Sequence, residues 1–306
     1  MNEPMVCVGG PPGSVQQTAA VPTPLIFTHS DVRIRLTIRE PIPGPERRLV
    51  EQFARQIVPT AEMRTPALAL FYEPMLTQGY PDLLIVQYDP TDFATWPPAR
   101  LQLEHRDLRL IAFLRSQHEI DVDTLVTRYG GQRRPLLRQL VRLAEAGIIV
   151  SCAGNWSLLP DDHLLAVRHI MAVEAKMVPS QRVIEQAMHH WAYATEIIVL
   201  LPHAHLPPQI ASAAARHQFG VWVSTATGSY ALRPAVPRSD WWSYERLLVN
   251  EWIGRRLIAD GNLTLAAAPA VDASAWLSSH HPTPPMSPFG QLSLAWDEEA
   301  SHAAQV

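Results

Sequence analysis

The stretch Met171-Ala172-Val173-Glu174-Ala175-Lys176-Met177 is an apolar run broken by two charges spaced two residues apart. Side chains alternate faces along a strand, so Glu174 and Lys176 project to one side while Val173, Ala175 and Met177 pack on the other. Placing a carboxylate and an amine on one face of a buried strand costs free energy unless each finds a polar partner. The segment therefore requires a sheet around it and further charged groups beside it.

The flanking sequence supplies that sheet. After Ser180, a candidate N-cap, a helical repeat puts Ile184, Ala187, Met188 and Trp191 on one face. Gln186, His189, His190 and Tyr193 fall on another face. Residues 196–201 read as a strand ended by Pro202, residues 207–217 as a helix, and residues 219–225 as a strand closed by Gly228. The β-α-β-α-β order over 164–224 points to an α/β sheet. Upstream, residues 25–38 alternate apolar and polar and predict one half-buried strand. Pro43-Gly44-Pro45 opens a helix at about Glu46, with Leu49, Val50, Phe53 and Ile57 at helical spacing. Residues 67–72 and 83–88 predict two strands in a hairpin-like connection through Gly79, which leaves Pro81-Asp82 at the start of Leu83-Leu84-Ile85-Val86. Residues 90–98 read as a linker, and residues 241–258 as a final amphipathic helix.

The middle of the chain has a different character. Three short helices are expected, around 108–114, from Val122 to Gly130-Gly131, and from Leu136 to Gly147, followed by a hairpin turning at Ala153-Gly154-Asn155. This order, with Leu-Ala-Glu-Ala-Gly-Ile-Ile after the leucine-rich third helix, resembles a winged helix-turn-helix domain. Between Thr124 and Ala144 there are five arginines (Arg128, Arg133, Arg134, Arg138, Arg142) and no acid. Arg134, Arg138 and Arg142 recur every four residues and form a stripe opposite the leucines. In a winged helix that stripe would meet DNA phosphates and guanine edges; the bland reading is a solvated basic face.

Composition narrows the class of protein. With 306 residues the chain suits two domains, or one with a large insertion. Two cysteines, Cys7 and Cys152, make no disulfide framework and favour a reducing compartment. There is no apolar run of membrane-spanning length, and the first residues lack the basic-then-apolar pattern of a secretory signal, so a cytoplasmic protein with no membrane partner is expected. A net charge of −4 argues against a generally basic nucleic-acid coat but allows a local patch. The paired histidines His189-His190, His203/His205 and His280-His281 have no accompanying cysteine pairs or HExxH spacing to support zinc. Gly9-Gly10-Pro11-Pro12-Gly13 lacks the Lys-Ser/Thr of a phosphate loop.

Taken in order, a helix with Glu46, two strands with Pro81-Asp82 between them, Glu174-Ala175-Lys176 on a third and a helix bearing Gln186 resemble the PD-(D/E)xK nuclease superfamily. The resemblance covers roughly residues 40–90 and 164–226. It implies a restriction-endonuclease-like α/β fold, a mixed sheet flanked by helices, here carrying an inserted winged helix domain where the family usually has a short connection. The implied layout is a flexible leader over 1–24, nuclease-like segments over 25–98 and 164–261, the insertion over 100–160, and a low-complexity tail over 262–306. The resemblance implies that Asp82 and Glu174 bind Mg2+ or Mn2+ and that Lys176 positions or activates the attacking water. Glu46 would add an acid, with Glu51 and Glu73 as competitors, while Gln186 and Tyr193 match a subset with a glutamine on the following helix.

Those residue types suit phosphodiester cleavage, because hard oxygen ligands hold a divalent cation that screens charge building up on phosphorus. The expected function is metal-dependent endonucleolytic cleavage of DNA, with the winged helix contributing DNA binding, in a defence or mobile-element setting. The alternative is a non-catalytic DNA-binding regulator or assembly subunit on a nuclease-like scaffold. A homodimer, and protein partners in a larger complex, are left open.

Overall fold

The strand carrying Glu174 lies at the centre of a seven-stranded sheet in the computed structural model, which describes residues 24–40, 42–60, 67–238 and 242–261. Residues 1–23 of the leader expected over 1–24, the tail from 262, Cys7 and His280-His281 lie outside the described residues. The chain begins with β1 (Leu25–Phe27), β2 (Thr37–Ile38) and α1 (Pro45–Thr60), followed by β3 (Ala67–Tyr72), β4 (Pro74–Met75) and β5 (Leu83–Tyr88). Next come α2 (Pro90–Ala94), a short 3-10 helix (Pro98–Gln102), α3 (His105–Arg115), β6 (Ile120–Asp121), α4 (Val122–Tyr129) and α5 (Arg133–Glu145). The hairpin β7 (Ile149–Cys152) and β8 (Asn155–Leu158) leads through α6 (Asp161–Leu164) into β9 (Val167–Ala175). The chain continues with α7 (Gln181–His190), β10 (Glu196–Leu201), α8 (Pro208–His217), β11 (Gly220–Thr225), β12 (Gly228–Arg233) and α9 (Tyr244–Ala259).

The large sheet runs β1-β3-β5-β9-β10-β11-β12 and is mixed. β3, β5 and β9 pair antiparallel, whereas β9, β10 and β11 pair in parallel. Period-two alternation gives the sheet two apolar faces. Leu68, Leu70, Leu83, Ile85, Val173, Ala175, Ile198 and Leu200 pack under Leu49, Val50, Phe53 and Ala54 of α1. Ala69, Phe71, Leu84, Val86, Ile170, Ala172, Ile197 and Val199 face α7, α8 and α9 on the other side. A sheet covered on both faces explains why its central strands are apolar almost throughout.

The expected single strand over 25–38 is instead two short strands around a turn. The Asp31 carboxylate accepts from the Arg33 N–H at 2.9 Å, and Ser30 Oγ accepts from the Ile38 N–H at 2.9 Å. These local bonds compete with a sheet ladder and bend the chain, leaving Val32 86% exposed while Ile34 and Leu36 fold inward. The expected linker over 90–98 begins as a helix. Asp89 caps it and Pro90 starts it, and Phe93 and Trp96 then enter the core beside Gly254, where a Cβ would overlap both rings. The expected strand over 219–225 is β11, and a further strand not anticipated from the sequence, β12, begins at Gly228 and pairs with it antiparallel.

The middle segment has helix, strand, helix, helix, strand, strand in that order, and β6, β8 and β7 form a three-stranded sheet. Its core residues Leu108, Ile111, Leu125, Leu136, Leu140 and Leu143 are continuous with the core behind the large sheet. All the described residues fall in one compact unit. Among them no helix is long and apolar enough to cross a membrane.

Candidate active site

Asp82, Glu174, Lys176 and Glu46 come together at one end of the sheet. The Lys176 N–H donates to Leu200 O at 3.0 Å, so Lys176 continues the β9 ladder and its side chain follows that of Glu174. Lys176 Nζ lies 3.1 Å from Glu174 Oε1, 3.4 Å from Glu46 Oε2 and 4.0 Å from Asp82 Oδ2. It also donates to Ala175 O at 2.9 Å. Asp82 precedes β5, which pairs with β9, and its Oδ2 accepts from the Ala175 N–H at 2.7 Å. Pairing of β5 with β9 thus closes the long sequence gap between Asp82 and Glu174. Glu46 sits in the first turn of α1, behind Pro45, where the helix dipole favours a negative charge.

Three carboxylates surround one ammonium, so negative charge is in excess. Burial, and then repulsion from Glu174, lift the Asp82 carboxyl to about 7, against the bond from Ala175 and the attraction of Lys176. For Lys176, burial lowers the pKa, but Glu174, Asp82 and Glu46 outweigh it and the net direction is up. Lys176 is therefore a persistent cation.

Behind Glu174 lies a second layer. Glu174 is 1% exposed, and its Oε2 lies 3.0 Å from His190 Nε2 at the end of α7. The Tyr193 hydroxyl lies 2.6 Å from His190 Nδ1. The helical phasing that grouped His190 with the solvent-facing His189 misplaced it: the buried face of α7 is Val183, Ile184, Ala187 and His190. The only sequence signal for His190 is its spacing, three residues after Ala187 and three before Tyr193. Gln186, one turn earlier on the same helix, has a buried Oε1 without a hydrogen-bond partner.

The competing acids are engaged elsewhere. Glu51 accepts from Arg47 at 2.7 Å, and Glu73 pairs with Arg39. Both arginines lie over aromatic rings, Arg47 on Tyr72 at 4.2 Å and Arg39 on Tyr80 at 5.0 Å. They line a cleft of about 500 Å³ with Pro43-Gly44-Pro45, Glu46, Glu73, Asp82 and Met177. A carboxylate cluster therefore opens into a space flanked by guanidinium groups.

The five arginines between Thr124 and Ala144 divide into two groups. Arg142 is tied to the buried Asp107 at 2.6 Å, Arg133 pairs with Asp123, and Arg128 donates to Gln117 Oε1 at 3.1 Å. Arg134 and Arg138 are exposed, and among the described residues neither has a partner. Asp123 stands one residue before the acid-free window of 124–144 and Asp107 lies well upstream on α3, so the window itself shows an unbroken stripe.

Among the described residues no group of three His, Cys, Asp or Glu side chains is arranged to hold a metal ion unaided. The oxygens of Asp82, Glu174, Glu46 and Ala175 around one cationic centre nevertheless have the hard-donor chemistry that Mg2+ or Mn2+ takes. Mg2+ commonly needs only one or two protein carboxylates, its remaining positions going to water and substrate phosphate. Compared with family models, curated proteins and solved structures, the chain has no match.

Proposed function

We propose that this protein is a metal-dependent DNA endonuclease of the PD-(D/E)xK type, with a winged helix inserted between its second and third core strands. The observation that carries the reading is the meeting of Asp82, Glu174 and Lys176 at one sheet end, with Glu46 of the preceding helix beside them. Support also comes from topology. The helix with Glu46, three strands pairing antiparallel (β3, β5, β9) and the helix bearing Gln186 follow the order of parts on which the resemblance rests, and β10 then pairs parallel to β9. The middle segment has the element order of a winged helix, and Arg134 and Arg138 would reach phosphates.

Asp82 and Glu174 would hold the cation, which when bound supplies charge screening at phosphorus and a more acidic water. Lys176, beside the cation, would act as an electrostatic clamp on developing negative charge or orient the attacking water. Arg39 and Arg47 would grip neighbouring phosphates from the cleft walls, each backed by an aromatic ring.

The test is cleavage of plasmid and linear DNA with Mg2+ or Mn2+. Wild type is expected to cut, and Lys176→Ala to be slower by roughly 100- to 1000-fold, the loss typical of one electrostatic catalytic group. Intact DNA from wild type in both metals would defeat the proposal. One observation favours a second reading: Lys176 itself fills the oxygen cluster, as in a self-neutralised scaffold. A non-catalytic DNA-binding subunit would bind DNA without cutting it, and Asp82→Ala would leave that binding unchanged.

A further inference from the structure

Glu174 is the most enclosed acid of the cluster, and both of its oxygens are engaged. Oε1 meets Lys176 at 3.1 Å, and Oε2 meets His190 at 3.0 Å. His190 is 2% exposed and Tyr193 fully buried, so neither ring nitrogen nor phenol can turn to water instead. The end of α7 builds this contact. The N–H groups of Tyr193 and Ala194 both donate to His190 O, at 3.1 and 2.8 Å, folding the chain so that Tyr193 returns beneath the His190 ring.

The bonding has one consistent direction. Burial, reinforced by the charges of Glu174 and Glu245, drives the Tyr193 phenol upward, so it keeps its proton and donates to His190 Nδ1. The imidazole proton then sits on Nε2 and points at Glu174 Oε2. In this tautomer the imidazole satisfies both neighbours, with no polar atom left over.

On the nuclease reading above, we propose that His190, backed by Tyr193, is a positioning residue that holds the Glu174 carboxylate with Oε1 turned toward Asp82 and Lys176, preforming the cation site. A ligating carboxylate without such a bond would rotate, and second-layer partners of this kind typically change metal affinity by about 10- to 100-fold. The sequence His190-Trp191-Ala192-Tyr193 carries the device on one helix end.

The experiment is Mn2+ binding to the full chain, followed by the paramagnetic resonance signal of free Mn2+, with thermal melts alongside. His190→Leu should bind Mn2+ about 10- to 100-fold more weakly than wild type. His190→Gln, whose amide can donate where Nε2 does, should recover most of the loss. Tyr193→Phe, which keeps the ring but loses the hydroxyl, should fall between. Should His190→Leu fail to fold, Tyr193→Phe and His190→Gln decide the matter by the same ordering. Wild-type affinity in a folded His190→Leu or in Tyr193→Phe overturns the positioning role and leaves the nuclease reading standing. No Mn2+ binding by wild type overturns both, and Glu174→Gln, which should lose binding in either case, marks the floor.

Discussion

Two buried charged clusters in this protein are built on opposite plans. Behind the sheet, Arg100 and Glu251 form a closed pair at 2.6 Å in which neither side chain reaches solvent. Arg100 Nη2 also donates to Leu164 O at 2.6 Å, its guanidinium lies 3.8 Å over Trp96, and Asn250 Nδ2 adds a bond to Glu251 Oε1 at 3.3 Å. One positive charge meets one negative charge, and the surrounding groups complete the bonding. At the sheet end, Asp82, Glu174 and Glu46 share a single Lys176 and open into a cleft. Balanced charge tucked away from water is what an architectural pair requires, because a lone buried ion costs several kcal/mol. Unbalanced charge beside a cleft is not neutralised by its own neighbours, and on the proposed reading a cation from outside would complete it.

The largest expected effect tests the closed pair. Glu251→Gln leaves Arg100 buried without a counter-charge and should destabilise the fold by about 3–5 kcal/mol. A denaturant titration reads this as a lower midpoint at unchanged slope. A loss below about 1 kcal/mol would erase the distinction between the clusters.

The open cluster should respond with the opposite sign. The folded Asp82 carboxyl holds its proton up to about 7, whereas an ordinary aspartate releases it near 3.8. Below the lower value the group is protonated in both states and contributes no penalty. As pH rises between the two values, the folded state is increasingly penalised, and above about 7 the penalty is complete. Asp82→Asn removes the ionisation, so without metal it should be more stable than wild type by on the order of 4 kcal/mol at pH 8, with the gain vanishing toward pH 4. Activity should be lost in the same variant. Melting curves across that range that show Asp82→Asn less stable at pH 8 would mean the cluster is architectural after all.

The two clusters also differ in how far the sequence discloses them. Glu174 and Lys176 stand out because each interrupts an apolar run and Asp82 because it opens one, and a strand leaves little choice about where a side chain points. The strands 67–72, 83–88 and 196–201 are legible for the same reason. The Arg100–Glu251 pair joins residues far apart in sequence, on the short 3-10 helix and α9, and no local spacing signals it. His190 was hidden differently. Its helix is buried on a face shifted toward it, and a polar residue there looks like solvent until Glu174 supplies the partner. At 31–36 and at Asp89, side-chain bonds to the backbone overrode the alternation and the proline-rich appearance, and such short-range competition leaves only a faint mark in the pattern.

The smallest effects concern the arginines of α5, where the same contrast between closed and open charge recurs. Arg142 is committed to Asp107, a fully buried acid, while Arg134 and Arg138 face solvent with no partner among the described residues. If open charge marks function, only the second pair should matter for DNA. Each phosphate contact contributes about 0.9 to the slope of log affinity against log salt, so the double variant Arg134→Ala/Arg138→Ala should flatten that slope by about 2. Arg142→Ala should leave the slope unchanged and lower the melting temperature instead, because Asp107 would then be buried without its cation. Fluorescence anisotropy with a labelled duplex at several salt concentrations separates the two. An unchanged slope in the double variant would remove this helix from the DNA interface, while leaving the carboxylate cluster to be judged by cleavage.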